Sequence, residues 1–279
     1  MTDDDGRSLT GPATDRRVRA GDLRHAVVTP LPEPSASRQP PPPRVLGVVL
    51  LEADHSVETL DSPHPFSWQP PEGLAPGFFG HPKAWPVPAV FAVAAGATGR
   101  SSADGAPHAM RGVAGAVRRL DGRCDMIVGG CGFFGLAWPL LDPRPRTPTV
   151  LSALDFLDVA LAASRRDVAV ISTNTADGRH AVASHPAADR IRVAGLDGVG
   201  DWSAFAEPDW AHRPAWTMTG LEQGLRQILS RAAQPGGLLD SAGAVLLECT
   251  VLPQFRSVIR EYTSAPIYDL VNIVRATLA

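Results

Sequence analysis

The chain has 279 residues, of which 44% are hydrophobic and 20% are charged, and its formal net charge at pH 7 is −3. These values are typical of a soluble globular protein with a core for one or two domains, and they give no electrostatic reason to expect nucleic acid as a partner. The longest uncharged apolar run, 126–141, is short for a membrane span and is interrupted by glycines and a proline, so no membrane partner is expected.

The cysteine and lysine content narrows the chemistry. Three cysteines do not make a disulfide framework, and the acidic N-terminus is unlike a secretory signal, so we expect a cytoplasmic protein. Lys83 is the single lysine of the sequence, and it lies in a proline-bounded loop without the P-loop pattern. Pyridoxal phosphate bound as a Schiff base and P-loop chemistry are therefore not expected.

In chain order, a leader precedes alternating strands and helices. Residues 1–43 carry mixed charges and end in RQPPPPR, which is typical of a disordered, proline-rich leader. Strands are predicted over 45–51, 90–96, 125–130, 147–153, 167–173, 191–196 and 243–250. Helices are predicted over 108–120, from Cys131 to about 141, over 154–166, over 221–233 and from about 253. The alternation indicates an α/β protein with mainly parallel sheets.

An internal repeat divides this series into two halves. In each half a strand leads to a cysteine, then a helix, a polar turn, a proline, an apolar run and another helix. Cys131 precedes Pro148 by 17 residues, and Cys249 precedes Pro266 by the same 17 residues. The repeat predicts two pseudo-symmetric lobes with a site in the cleft between them. We expect the first lobe over 44–147, completed by a C-terminal helix over 265–279, and the second over 148–264.

The stretch IVGGCGFFG at 127–135 allows two interpretations. Its glycines match the GxGxxG dinucleotide fingerprint at 130–135, and Asp155 stands where an acid would bind the ribose of NAD(P) in an oxidoreductase. The second copy of the repeat, VLLECTVLP, lacks these glycines but keeps the thiol. The repeat therefore favours Cys131 and Cys249, rather than the glycines, as the functional element.

Two matched thiols suit acid–base chemistry. Both follow parallel strands, whose C-terminal ends line the ligand crevice in such sheets. A helix N-terminus there would lower the thiol pKa, so that one thiolate takes a proton from carbon while the opposite thiol returns one. The alternative is that the cysteines are small buried hydrophobes, as we expect for Cys124, which has no counterpart in the repeat.

Four segments carry a resemblance to a known family: GVVLLEA, GFFGHPKAWPVPAVFAVAAGAT, GGCGFFG and LLECTVLPQFRSVIREYTSAPIYDLV. Over about 45–279 the chain resembles the aspartate/glutamate racemase superfamily, which includes hydantoin racemases, maleate isomerases and arylmalonate decarboxylases. The resemblance implies two pseudo-symmetric α/β lobes and a mechanism without cofactor or metal. It also implies Cys131 and Cys249 as the acid–base pair, a small carboxylate substrate and a homodimer as the assembly to consider.

The resemblance further suggests how a substrate carboxylate would be bound. Backbone amides around Gly132, Phe133 and Thr250 would hold it, together with the side chains of Thr173 and Asn174. Thr173 and Asn174 could equally form a turn that caps the next helix. Two further candidates are Glu52, alternatively a solvated loop acid, and His81, alternatively a loop residue. Gly132 stands where many of these racemases have Asn or Thr, and Val251 where glutamate racemases have His, so the acid stays unnamed.

The sequence thus predicts a cofactor-independent racemase or isomerase of a small carboxylate, such as an amino acid. Alternatives are a maleate-type cis–trans isomerase or a malonate-type decarboxylase in the same cleft. Two others are an NAD(P)-dependent oxidoreductase and a catalytically idle protein that binds a metabolite or partner.

Overall fold

Two four-stranded parallel sheets form the framework of the chain in a computed structural model that describes residues 44–52, 79–206 and 214–278. The predicted leader and the proline-rich stretch 53–78 lie outside these residues. The first sheet contains Leu46–Leu51 (β1), Ala89–Ala94 (β2), Met126–Gly129 (β3) and Thr149–Val150 (β4), in the order β2-β1-β3-β4. The second contains Asp167–Ser172 (β5), Ile191–Gly195 (β6), Ala242–Leu247 (β7) and Ile267–Tyr268 (β8), in the order β6-β5-β7-β8.

The two sheets repeat one topology, because in each the first strand lies between the second and the third and the fourth extends the third. The central strands β1, β5 and β7 are apolar at nearly every position, as expected when helices or the other lobe cover both faces. The two-lobed α/β fold class predicted from the repeat is therefore confirmed.

Helices cover the sheets. The α-helices are Gly99–Ala103 (α1), Pro107–Leu120 (α2), Leu157–Ala163 (α3), Thr175–Val182 (α4), Trp202–Phe205 (α5), Met218–Ala232 (α6), Arg256–Arg260 (α7) and Leu270–Leu278 (α8). Helix α2 buries a face that includes Val113 and Val117 on the first sheet, and Pro107 begins it, where a missing N–H costs nothing. Thr217 caps α6 by accepting a hydrogen bond from the Gly220 N–H at 2.9 Å.

The segments that follow the two thiols contain 3-10 turns, which are wound more tightly than the predicted α-helices. The helix expected from Cys131 to about 141 is a 3-10 helix, Gly132–Leu140, with Pro139 inside it. The helices expected over 154–166 and from about 253 begin with the 3-10 turns Ala153–Phe156 and Leu252–Phe255. In a regular α-helix the ring of Pro139 would clash with the carbonyl four residues earlier, which disfavours an α-helix over this segment.

A central core joins the lobes. Val48 and Val128 of the first sheet and Val170 and Leu246 of the second belong to one cluster of buried side chains. Helix α3 packs on β5 and β7 of the second sheet. Helix α8 belongs to the same cluster, and Arg275 on it donates to the Ala84 carbonyl before β2 at 3.2 Å.

The pairing of the short strands differs from the expected lobe boundaries. We expected residues after 147 in the second lobe and 265–279 with the first. Instead β4 pairs with β3 in the first sheet, and β8 pairs with β7 in the second. The segment after Cys131 and the segment after Cys249 thus each add a two-residue strand to their own sheet before they cross to the other lobe. Among the described helices, none has the length and apolar character needed to cross a bilayer.

Candidate active site

Cys131 and Cys249 occupy matched places in the two lobes. Strand β3 ends two residues before Cys131, and β7 ends two residues before Cys249, so each thiol follows the C-terminal end of the equivalent strand. Both are free and partly buried. The Thr250 hydroxyl donates a hydrogen bond to the Gly130 carbonyl at 3.1 Å, which joins the two thiol segments directly across the lobes.

Glu248 brings a buried carboxyl to this junction. The residue is 2% exposed, and a Cβ placed on Gly132 would lie 1.8 Å from Glu248 Oε1. The carboxyl therefore packs directly on the Gly132 backbone, and only glycine fits there. Glu248 Oε2 accepts a hydrogen bond from the Ser172 hydroxyl at 2.8 Å, and the Thr173 N–H also donates to this carboxylate.

Sequence reasoning missed Glu248. The available signal was a glutamate at the end of an apolar strand, directly before a thiol, where an ionisable side chain is rarely buried without a function. The partner across the lobes, Gly132, could not be paired with it from the sequence.

The pKa values of both thiols are raised, which corrects the expectation that helix N-termini would lower them. Burial first, and then the charge of Glu248, raises the pKa of Cys131 to about 12. Burial, Glu248 and then Cys131 raise the pKa of Cys249. The turns that begin beside the thiols are 3-10 segments whose N–H groups offset only part of this cost. Both thiols are therefore harder to ionise than a free cysteine side chain.

The two thiols share one pattern of backbone donors. The Phe133 N–H donates to the Cys131 sulfur, and the Val251 and Leu252 N–H groups donate to the Cys249 sulfur. Each donor favours the thiolate form, so the amide two residues after the cysteine has the same role in both lobes. Burial also raises the pKa of Glu248 to about 7, against the opposing hydrogen bonds from Ser172 and Thr173.

The other predicted residues divide into two groups. Gly132, Phe133, Thr250 and Thr173 lie beside the thiols or against Glu248. Asn174 follows β5 and caps α4, because its Oδ1 accepts from the Ala176 N–H at 2.8 Å and the Asp177 N–H at 3.0 Å. The capping role considered for this segment is thus the contact that Asn174 makes.

Glu52 and His81 are held by local contacts. Glu52 follows β1, and its Oε2 accepts from the Gly96 N–H at 2.5 Å, which closes the turn after β2. His81 precedes β2, is 8% exposed and accepts from the Lys83 N–H at 3.1 Å, as the cap of a 3-10 turn. Burial and then Lys83 lower the pKa of His81, which favours its neutral form. It leads into the N-terminal end of a strand, whereas the thiols follow C-terminal ends.

The glycine fingerprint does not form a pyrophosphate cradle. Gly132, the second glycine of the fingerprint, faces the Glu248 carboxyl, which would repel a phosphate when ionised. Asp155 accepts from the Trp138 indole N–H at 2.9 Å and the Leu151 N–H at 2.9 Å, so its oxygens serve a local cap rather than a ribose. No set of three or more His, Cys, Asp or Glu side chains within the described ranges is grouped to hold a metal ion.

Comparison with known proteins finds one distant relative by sequence and several solved structures with a similar fold. No family model matches the chain. Dimethylsulfoniopropionate lyase 5 from Emiliania huxleyi (strain CCMP1516) is 27% identical over 173 residues, which are 57% of this chain and 34% of the relative. The chain therefore spans about a third of the length of this curated relative.

Among solved structures, allantoin racemase from Klebsiella pneumoniae has a TM-score of 0.50 and 18% identity, over 84% of this chain and 86% of that one. A putative Asp/Glu racemase from Yersinia pestis has a TM-score of 0.45 and 12% identity, over 84% and 97%. The chain has the fold of the allantoin racemase. The resemblance drawn from the four sequence segments thus holds at the level of the fold.

Proposed function

We propose that the chain belongs to the aspartate/glutamate/hydantoin racemase superfamily and is a cofactor-independent racemase or isomerase of a small carboxylate. The observation that carries the proposal is the matched pair Cys131 and Cys249, which follow equivalent strands of two lobes joined by the Thr250–Gly130 hydrogen bond. Fold alone does not determine function, so the argument rests on this pair.

The proposed reaction is proton transfer at a carbon next to a carboxylate. One thiolate takes the proton from one face of the carbon, and the opposite thiol donates a proton to the other face. The N–H groups that donate to each sulfur would stabilise whichever thiol is ionised. Backbone amides of Gly132, Phe133 and Thr250, with Thr173, would hold the carboxylate.

Isotope exchange tests the proposal. The protein is incubated in deuterated water with single enantiomers of aspartate, glutamate and allantoin, and enantiomer composition and deuterium content are followed by chiral chromatography and mass spectrometry. We expect racemisation of one of these or of a related acid, with deuterium at the stereocentre. Cys131→Ser and Cys249→Ser should each abolish it, whereas the matched control Cys124→Ser should retain it. Full activity in either of the first two variants would exclude the two-thiol mechanism.

A second candidate function is elimination, favoured by the 27% identity to a dimethylsulfoniopropionate lyase. Removal of the same type of proton next to a carboxylate would be followed by loss of a leaving group from the adjacent carbon. This reaction needs only one thiolate. Release of dimethyl sulfide from dimethylsulfoniopropionate, measured in the headspace by gas chromatography, tests it. A lyase would lose activity in one cysteine variant and keep it in the other.

The cis–trans isomerase and the decarboxylase use the same cleft and are separated by their products. Maleate and an arylmalonate belong in the substrate panel, with fumarate and carbon dioxide as the respective readouts. A decarboxylase would require a single thiol as proton donor, so the matched pair favours the racemase over it.

A further inference from the structure

Glu248 is a buried carboxyl for which the proposed proton transfer has no role. Its side chain lies between the two thiol segments, because Glu248 directly precedes Cys249 and its Oε1 packs on Gly132, the residue after Cys131. Glu248 is thus the chain neighbour of one thiol residue and is in contact with the chain neighbour of the other. Its other oxygen is fixed by the Ser172 hydroxyl at 2.8 Å.

Within the described residues, the charged or titratable groups that interact with Glu248 are acidic or potentially acidic. They are Cys131 from the first lobe, Cys249 on its own segment and Asp177 on α4. Asp177 is itself paired with Arg100 of α1, whose two terminal nitrogens lie 3.2 and 3.0 Å from its carboxylate oxygens. The remaining contacts of Glu248, from Ser172 and the Thr173 N–H, are neutral donors.

A bound substrate would add negative charge at this place. In the proposed reaction the substrate carboxylate is held by amides at Gly132 and Phe133, and the Glu248 carboxyl already packs on Gly132. One thiolate must also be present. An ionised Glu248 would then be a third negative charge in a site shielded from water, where like charges repel strongly.

We propose that Glu248 is a charge gate for carboxylate ligands: a carboxylate binds beside the thiols only when Glu248 is protonated, so that binding is coupled to proton uptake by this side chain. For its role in turnover the inference rests on the proposed function. Glu248 acts through its charge rather than through contact with the reacting atoms, and it is therefore a positioning residue. Its occupation of the space at Gly132 makes it the group that selects the charge of the ligand.

A pair of alkylating reagents tests the gate without turnover. Iodoacetate carries a carboxylate and iodoacetamide is its neutral analogue, and both react with the same thiolate. The ratio of their rates at one cysteine cancels the thiolate fraction and reports the local preference for a carboxylate. Rates at Cys131 and Cys249 are measured separately by peptide mass spectrometry across a pH series, on the full chain without substrate.

The expected ratio of iodoacetate to iodoacetamide falls about tenfold from about pH 6 to about pH 8, because the protonated fraction of a group with a pKa of about 7 falls by that factor. Glu248→Gln should give a ratio that does not change with pH, since its amide is neutral throughout. Ser172→Ala removes a donor to the ionised carboxylate, which raises the Glu248 pKa and moves the fall to higher pH. The matched control Glu222→Gln, at an exposed ion pair with Arg226, should behave as the parent protein.

Three results would overturn the gate. One is a ratio in the parent protein that is flat across the series. Another is a fall in Glu248→Gln equal to that of the parent protein. The third is no reaction of either thiol with iodoacetate at about pH 6 where iodoacetamide reacts. Should Glu248→Gln fail to fold by circular dichroism, the parent profile and its displacement in Ser172→Ala decide the matter. A pH-dependent ratio in a protein that racemises no acid would keep the gate and refute the proposed function, whereas racemisation with a flat ratio would do the reverse.

Discussion

In both thiol segments the cysteine comes two residues after the end of a strand, but the residues beside it differ. Cys131 lies between Gly130 and Gly132, which have no side chains, whereas Cys249 lies between Glu248 and Thr250. Both side chains of the second segment point toward the first. The Thr250 hydroxyl reaches the Gly130 carbonyl, and the Glu248 carboxyl packs on Gly132.

The two halves of the repeat are therefore complementary rather than equal. Glycine is required at position 132 because Glu248 of the second half fills the space beside it, whereas the space at Gly130 is bounded by the Val49 carbonyl of the first half. A polar group next to Cys131 is therefore supplied from the other lobe. The asymmetry also gives the site one titratable carboxyl in place of two symmetric ones.

The largest effect on stability is expected from adding a side chain at Gly132, next to Cys131. Gly132→Ala places a Cβ 1.8 Å from Glu248 Oε1 and 2.5 Å from its carbonyl oxygen. The carboxyl and the backbone must both move, and we expect a loss of about 3 kcal/mol in unfolding free energy, at the upper end for overpacking. Denaturant unfolding at neutral pH measures this.

A control and a rescue define the cause of that loss. Gly115→Ala in α2 meets only the far end of Arg119, at 3.9 Å, so it should stabilise the helix by about 0.5–1 kcal/mol. If the overlap with Glu248 is responsible, Glu248→Ala should restore part of the stability of Gly132→Ala. Strict additivity of the two changes would contradict the interlocking of the segments.

The second effect concerns the charge of Glu248. Its pKa is raised from 4.5 to about 7 in the folded chain, so between these values the folded state binds a proton that the unfolded state has lost. Stability should therefore fall as pH rises, by about 2 kcal/mol from about pH 5 to about pH 7. Glu248→Gln should remove this part of the pH dependence, as measured by urea unfolding at several pH values. An unchanged slope in the variant would place the titration elsewhere.

Contacts within each half could be predicted from the sequence, but contacts between the halves could not. The strands, the helices α2 and α6 and the matched thiols followed from apolar periodicity and from the repeat, because these are local patterns. The Gly132–Glu248 contact depends on how the two lobes pack, and the two residues are far apart in the sequence. The pKa of each thiol is raised first by burial and then by that same carboxyl, and neither cause can be derived from a local sequence pattern. Strand β4 lies within the strand predicted over 147–153, whereas β8 has two residues, too few for a periodic signal.

A smaller effect is expected from the hydrogen bond that joins the segments. Thr250→Val keeps the side-chain shape and removes the hydroxyl that donates to the Gly130 carbonyl at 3.1 Å. We expect a loss of about 1 kcal/mol in unfolding free energy, since the carbonyl loses a partner in a partly buried place. Thr277→Val, which removes an exposed bond within α8, is the matched control and should change the stability by less. Equal losses would mean that the bond across the lobes adds nothing specific.

The smallest effect on stability is expected at Asn174, after β5, where a substitution shows whether the side chain caps a helix or binds substrate. Asn174 accepts two N–H groups of the first turn of α4, so Asn174→Ala should cost about 0.5–1 kcal/mol of stability. Asn174→Asp keeps the accepting oxygen and should retain the stability. Because the capping oxygen is engaged in the fold, we expect the KM for whichever acid is racemised to change little in Asn174→Ala. A rise in KM of about tenfold or more, at unchanged stability, would instead make Asn174 a substrate-binding residue, and the ends of β5 and β7 would then both contribute to the site.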